Sequence, residues 1–193
     1  MTSDQASGTH TSPGTADSRP AAGAETSAEP GERSDLLAML AKHRHFLRFP
    51  ARGLTDEQAA ARTTVSELCI GGLIKHVAAV ERNWCQFIVR GPSAASDGDT
   101  DYEDWANGFR MTPGETLTGL LADYAAAAAE TDELLRSLPS LDARQPLPEA
   151  PWNPPGESWS ARRVFMHVIA ETAQHAGHAD ILREAIDGAK SMG

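Results

Sequence analysis

Four long stretches of the sequence carry the start and stop signals of α-helices, and no stretch shows the sustained apolar–polar alternation of a β-strand. The first is predicted to begin at Ser34 or Asp35 and to end before Pro50. The second is predicted to begin at Thr64, which forms a capping box with Glu67, and to end at Gly91. The other two are predicted to run from a cap at 112–115 to Leu138, and from Ser160 to about Asp187, with Gly188 as the stop. Four such helices, joined by two long connections, predict an all-α bundle.

The second long helix is predicted to contain two adjacent glycines. Gly71 and Gly72 each cost about 1 kcal/mol relative to alanine in a helix interior. Their presence indicates either a close approach by another backbone or a ligand, or simple tolerance by a stable helix. Ahead of this helix, a capping box at 55–58 (TDEQ) predicts a short helix of about two turns.

The domain boundaries follow from composition. Residues 1–33 contain no leucine, isoleucine, valine, phenylalanine, tyrosine or tryptophan, so no apolar burial offsets the entropy of ordering them. They are predicted to form a disordered tail. Residues 34–188 are predicted to form one helical domain, followed by a short C-terminal tail at 189–193.

The charge balance excludes several classes of partner. Seventeen basic and 27 acidic residues leave a formal net charge of -10, which repels phosphate backbones and anionic lipids. The sequence shows neither a membrane-spanning apolar run nor a secretory signal, so no nucleic acid or membrane partner is expected. Cys69 and Cys85 would lie roughly 24 Å apart on one helix, too far for a disulfide. Reduced thiols agree with a cytoplasmic location.

A stripe of polar side chains is predicted along one side of the last helix. His167, Glu171, His175 and His178 follow one another at intervals of four, four and three residues, and so share a sector of roughly 80°. His76 lies on an apolar face of the second long helix. Pairs spaced three or four residues apart can reach one ion, and His76 is the candidate for a third ligand. An interhelical hydrogen-bond network is the alternative, and spacing alone does not choose among the four residues of the last helix.

Two segments of the chain resemble a known superfamily. They are LTDEQAAARTTVSELCIGGLIKHVAAVERNW, from Leu54 to Trp84, and RRVFMHVIAETAQHAGHADILREAIDG, from Arg162 to Gly188. Both closely resemble the DinB-like superfamily, in the mycothiol-dependent branch that includes maleylpyruvate isomerase and the mycothiol S-transferases. The resemblance covers essentially residues 34–188, and GGLxKHxAxVE together with ETAxHAGHADILRE is specific to that branch.

The resemblance implies a four-helix bundle that binds a divalent metal, usually zinc, through His76, Glu171 and His175. Many superfamily members have histidine at the first of the two positions on the last helix, whereas this branch has glutamate, as Glu171 is here. His178 stands where relatives often carry glutamine, so it is expected to support a ligand, face the substrate or supply acid help. His167, one turn before the site, is expected to support a ligand or to serve in packing.

The expected reaction follows from this donor set. Two neutral histidines and one carboxylate leave one net positive charge around a dication and an open position, which is typical of a catalytic site. Such a cation lowers the pKa of a coordinated thiol. Cys69 and Cys85 lie roughly 10 and 14 Å along the helix from His76, so the reacting sulfur is expected on a cosubstrate. This agrees with the use of mycothiol in the family.

The resulting prediction is a metal-dependent mycothiol S-transferase, monomeric or homodimeric, in which the metal-bound thiolate attacks a small electrophile. A thiol-dependent cis/trans isomerase of the maleylpyruvate type would use the same nucleophile. A non-haem iron oxygenase would use the same kind of donor set. A metal-stabilised binding or stress protein without turnover is the remaining alternative.

The two long connections carry four tyrosine or tryptophan residues. Tyr102 and Trp105 lie in the acidic connection 92–111, and Trp152 and Trp159 lie in the proline-rich connection 139–159. A connection as long as 92–111 is usually functional or disordered in a compact domain. These side chains are expected either to wall the pocket or to pack the loops onto the helices.

Overall fold

The computed structural model describes residues 30–94, 106–148, 150 and 153–191. These residues are mostly helical, which confirms the all-α fold class. The helices are α1 (Pro30–Arg48), α2 (Asp56–Ala60), α3 (Ile70–Arg90), α4 (Leu117–Ser137) and α5 (Ala161–Asp187), with a hairpin of β1 (Arg144–Pro146) and β2 (Ser158–Ser160). Short 3-10 turns follow α1 at Phe49–Ala51 and α3 at Gly91–Ala94. Most of the predicted tail, and Tyr102, Trp105 and Trp152, lie outside the described residues.

The four long helices pack in a closed ring. Helix α1 packs against α4 and α5, and α3 packs against the same two helices. Fully buried apolar side chains fill the centre, among them Leu40, Leu73, Val77, Phe87 and Phe165. No helix in the described part of the chain is both long and apolar enough to cross a membrane. The ring places α3 and α5, which carry the candidate ligands, side by side.

Helix α3 begins later than the sequence predicts. The predicted capping box at Thr64 and Glu67 does not form, because Glu67 pairs with Arg62 and with Arg110, the latter at 2.8 Å. The Thr64 hydroxyl instead lies 2.9 Å from that of Ser66, in a local contact that competes with helix formation. Cys69 is the N-cap, and its Sγ accepts a hydrogen bond from the backbone N–H of Gly72.

The paired glycines of α3 lie under another part of the backbone. A Cβ added to Gly72 would overlap the carbonyl group of Phe109, and one added to Gly71 would overlap the Met111 side chain. Of the two interpretations of these glycines, close approach by another backbone is therefore correct for Gly72. The consequence is that the segment 109–111 lies directly on the first turn of α3.

Helix α4 also begins later than predicted. The predicted cap at 112–115 is a separate turn, in which the backbone N–H of Thr112 donates to Glu115 Oε2 at 2.6 Å. Gly114 has a φ of 91°, which is incompatible with a right-handed helix. Thr116 is the actual N-cap, and Asp56 accepts a hydrogen bond from the backbone N–H of Leu117 at 2.7 Å.

Helix α1 begins at Pro30, four residues before the earlier of its predicted starts. Tertiary contacts order this extra turn, because Glu32 pairs with Arg162 of α5 and Arg33 donates to the backbone carbonyls of Leu135 and Leu138. Proline is favourable in the first turn of a helix. Helix α1 thus takes in residues 30–33 of the predicted tail, and sequence composition does not reveal the distant partners of this turn.

Three local predictions are confirmed, and one element was missed. The Thr55–Gln58 capping box opens α2, the Ser160 hydroxyl caps α5, and Gly188 ends α5 in the left-handed region with a φ of 79°. The antiparallel pairing of β1 with β2, in which Gln145 lies opposite Trp159, was not predicted. Strands of three residues are too short to show alternation. This hairpin places Trp159 directly before α5.

Candidate metal centre

Three side chains from two helices converge at one point. His76 of α3 and Glu171 and His175 of α5 each offer one donor atom, and the three atoms lie within 4.8 Å of one another. The rings of His76 and His175 have centroids 4.9 Å apart and are nearly perpendicular. His175 is buried, whereas the Glu171 side chain is 28% exposed, so the cluster opens to solvent on one side.

Phe109 holds the ring of His76 in place. The two rings stack with centroids 4.0 Å apart and an interplanar angle of 24°. This contact depends on the close approach of the Phe109 backbone to Gly72, one turn before His76 on α3. The absence of a side chain at position 72 therefore helps to set the orientation of a candidate ligand.

Both histidines of the cluster favour the neutral form. Burial lowers the pKa of His76 to about 4, with a smaller contribution from the neighbouring His175. Burial also lowers the pKa of His175, although the charge of Glu171 opposes this shift. Neutral imidazoles have a free lone pair, so both rings are in the state that binds metal at neutral pH.

The donor set fits a divalent transition metal. Imidazole and carboxylate groups together suit zinc, iron or nickel. Among the described residues, His76, Glu171 and His175 are the histidine, cysteine or acidic side chains whose donor atoms converge in this way. Three protein ligands, rather than four, leave a position for another molecule, as in catalytic zinc sites.

His178 lies beside one of these three residues. Its Nδ1 is 3.3 Å from Nδ1 of His175, so one ring nitrogen donates a hydrogen bond to the other. The opposite nitrogen of His175, Nε2, is 3.7 Å from Glu171 Oε2. His178 thus contacts the side of His175 that faces away from Glu171.

His167 borders the cluster on its other side. Its Nε2 lies 3.8 Å from Glu171 Oε1, and burial lowers its pKa. Its ring packs edge-on against Trp84 of α3, at 4.9 Å between centroids, and against Trp159 of β2, at 5.3 Å. His167 therefore connects the candidate metal centre to a pair of tryptophans.

The role of Phe109 was not predicted from the sequence. The glycine pair of α3 signalled a close approach but did not identify the approaching segment. Helical periodicity places His76 and Trp84 on one apolar face of the helix. The contact of Trp84 with Trp159, which comes from a connection between helices, could not be predicted in this way. Cys69 and Cys85 are free cysteines outside the convergent group.

Nearly all of the described helices lie within a region that matches one known family. A family model described as mycothiol-S-transferase matches residues 35–188. A comparison with curated proteins finds no match. The matched region includes His76, Glu171 and His175 together with both helices that carry them.

Proposed function

Because the chain belongs to the mycothiol-S-transferase family, we propose that it is a divalent-metal-dependent transferase that joins the sulfur of mycothiol to a small electrophile. The convergence of His76, Glu171 and His175 is the observation that carries this proposal. We propose these three residues as the ligands and zinc as the ion. A divalent ion would supply positive charge that favours the thiolate form of a thiol bound next to it.

The protein side chains have separate tasks in this scheme. His76 and His175 bind as neutral donors, and the charge of Glu171 reduces the net positive charge of the centre. His178 holds His175 through the contact between their Nδ1 atoms, which sets the tautomer of the ligand. The half-buried position of the cluster strengthens each of these electrostatic interactions relative to water.

The proposed transfer exchanges the S–H bond of mycothiol for a bond between sulfur and carbon. The mycothiol S–H bond loses its proton to solvent, and a sulfur lone pair forms the new bond to the electrophilic carbon. In a substitution, the leaving group departs with the electron pair of its bond to carbon. In an addition, the carbon framework takes up a proton from solvent.

The chain's own thiols are poorly suited to act as this nucleophile. Burial raises the pKa of the Cys85 thiol to about 11, so this group stays protonated at neutral pH. Cys69 is buried, and its Sγ accepts the capping hydrogen bond from Gly72. A sulfur supplied by a cosubstrate is consistent with both observations. We propose a cytoplasmic location, where these two free thiols remain reduced.

The test compares the full chain with His76→Ala and a matched control, His45→Ala. His45 is an exposed histidine on α1. Zinc content is measured by elemental analysis, and conjugation is measured by mass spectrometry with mycothiol and a chloroacetamide. The wild type and His45→Ala are expected to bind zinc and form the conjugate. His76→Ala is expected to lose at least about tenfold in both zinc affinity and conjugation.

Two outcomes would contradict the proposal. Full zinc content and full activity in His76→Ala would show that His76 is not a ligand of the centre. Recovery of unchanged mycothiol together with an isomerised substrate, when a cis-configured electrophile is used, would assign the chain to the isomerase class instead.

A further inference from the structure

A cavity of about 450 Å³ lies between α3 and the hairpin. We call it the indole pocket. Its apolar lining consists of Trp84, Phe87, Leu147, Pro148 and Trp159. Its size is in the range of small-molecule sites. Both tryptophans contact His167, whose Nε2 is 3.8 Å from Glu171 Oε1, so one imidazole links the tryptophan wall of the pocket to a candidate ligand.

The tryptophan wall of the pocket is held in place before any ligand binds. The Trp84 and Trp159 rings stack with centroids 4.8 Å apart and an interplanar angle of 10°. Glu157 accepts a hydrogen bond from Trp159 Nε1 at 3.1 Å, and the Arg163 guanidinium lies 4.4 Å from the centre of a Trp159 ring. Phe87 packs edge-on against Trp84. A wall fixed on several sides costs little entropy when a ligand binds.

The lining determines which chemistry the pocket accepts. Among the residues that the structure describes, no charged side chain lines it, and its polar side chains are the carboxamides of Asn83 and Asn153. An ionised group placed there would lose its hydration without gaining an opposite charge. A neutral, planar, largely apolar molecule would pack against the indole rings and could form one or two hydrogen bonds to the carboxamides.

The apolar lining also favours the electrophile over the thiol as the occupant of the pocket. Mycothiol is a sugar-based thiol with many hydroxyl groups, and each hydroxyl needs a hydrogen-bond partner when it is buried. The two carboxamides of the described lining supply too few partners for it. We propose that the indole pocket binds the planar apolar body of the electrophile, with its reactive carbon directed past His167 toward Glu171.

His167 and Glu171 are one turn apart on α5, which corresponds to about 6 Å along the helix axis. A suitable substrate therefore carries its reactive carbon at one end, outside its ring system. The placement of the reactive carbon rests on the proposed function, whereas binding of the apolar body does not.

The binding test uses an unreactive probe, N-(2-naphthyl)acetamide, titrated into the full chain by calorimetry with and without zinc. The wild type is expected to bind it in both states. Trp159→Ala removes part of the wall, and Leu147→Trp fills the cavity. Each is expected to weaken binding about tenfold or more. Met166→Ala, at an exposed position of α5, is the matched control and is expected to bind like the wild type.

The kinetic test uses two chloroacetamides that share the same reactive carbon. In both, sulfur displaces chloride, which leaves with the carbon–chlorine bonding pair, and the thiol proton goes to solvent. One substrate carries a 2-naphthyl group on nitrogen and the other a methyl group. The ratio of their kcat/KM values, naphthyl over methyl, is expected to fall about tenfold in Trp159→Ala. It is expected to stay unchanged in Met166→Ala.

The outcomes separate this proposal from the proposed function. Probe binding that the pocket variants weaken, without conjugation of either substrate, would support the pocket and reject the transferase. Conjugation by a wild type that does not bind the probe, with an unchanged ratio in Trp159→Ala, would support the transferase and overturn the pocket. A raised KM for mycothiol in Trp159→Ala, with an unchanged ratio of the two kcat/KM values, would assign the cavity to the thiol. This result would also overturn the proposal that the pocket binds the electrophile.

Discussion

The carbonyl group of Phe109 occupies the space that a side chain at Gly72 would need. The Phe109 ring stacks on His76, one turn further along α3, at 4.0 Å between ring centroids. Gly72, which is unfavourable in a helix interior, thus makes room for the residue that stacks on the candidate ligand His76. The cost of glycine in the helix is offset by the packing of 109–111 onto α3.

Gly72→Ala is expected to destabilise the protein by about 1–3 kcal/mol, because the new methyl group must displace the Phe109 backbone. Loosening of the stack on His76 is also expected to weaken zinc binding. Chemical denaturation and chelator competition measure the two effects. Gly177→Ala on α5 is the control, since nothing lies within 4 Å of its added Cβ, and it is expected to be neutral or stabilising by up to about 1 kcal/mol. Equal stability of Gly72→Ala and the wild type would contradict this account.

His178→Ala is expected to reduce zinc affinity by about tenfold to a hundredfold, because His175 loses the partner of its Nδ1 atom. His178→Gln retains groups that can accept or donate a hydrogen bond and is expected to lose less. Competition with a chelator of known affinity gives both values. If His178→Ala binds zinc as tightly as the wild type, His178 does not hold the ligand.

The metal-free protein is expected to lose stability as the pH falls from about 6.5 to about 4. Folded His76 has a pKa of about 4, whereas a histidine in an unfolded chain titrates near 6.5. The unfolded state therefore takes up the proton first, and the stability present above pH 6.5 is lost progressively below it. Urea denaturation in the presence of a chelator measures the slope.

His76→Gln should flatten this pH dependence, because it removes a group that titrates differently in the two states. His45→Gln on the exposed side of α1 controls for the loss of one imidazole from the chain. An unchanged slope in His76→Gln would show that His76 is not buried in the neutral form.

Glu81→Ala is expected to destabilise the protein by about 3–5 kcal/mol, because it leaves the charge of Arg44 buried without its main partner. Glu81 is fully buried and accepts two hydrogen bonds from Arg44, at 3.0 and 2.7 Å. Asp123→Ala is the control, because it breaks an exposed pair with Arg82 and is expected to cost at most about 1 kcal/mol. Thermal and chemical unfolding compare the two variants, and similar losses in both would contradict the difference in burial.

The buried Arg44–Glu81 pair shows what the last residue of the GGLxKHxAxVE motif, Glu81, does in the fold. His76 of this motif faces the candidate metal centre, whereas Glu81 forms the buried ion pair with α1. Asp132 of α4 joins the pair through a hydrogen bond from Arg44 at 2.7 Å. One motif on one helix therefore carries both a candidate ligand and an anchor that links three helices.

The features that sequence alone determined are those set by residues a few positions apart. The helical class, the caps at Thr55 and Ser160, the stop at Gly188 and the polar stripe of α5 all depend on helical periodicity and local hydrogen bonds. The tertiary structure decided the features that need partners from distant parts of the chain. Arg110 draws Glu67 away from its predicted cap, Phe109 covers Gly72, and the hairpin brings Trp159 onto Trp84 to form the indole pocket. Such contacts depend on how the helices pack, and no local pattern in the sequence encodes that packing.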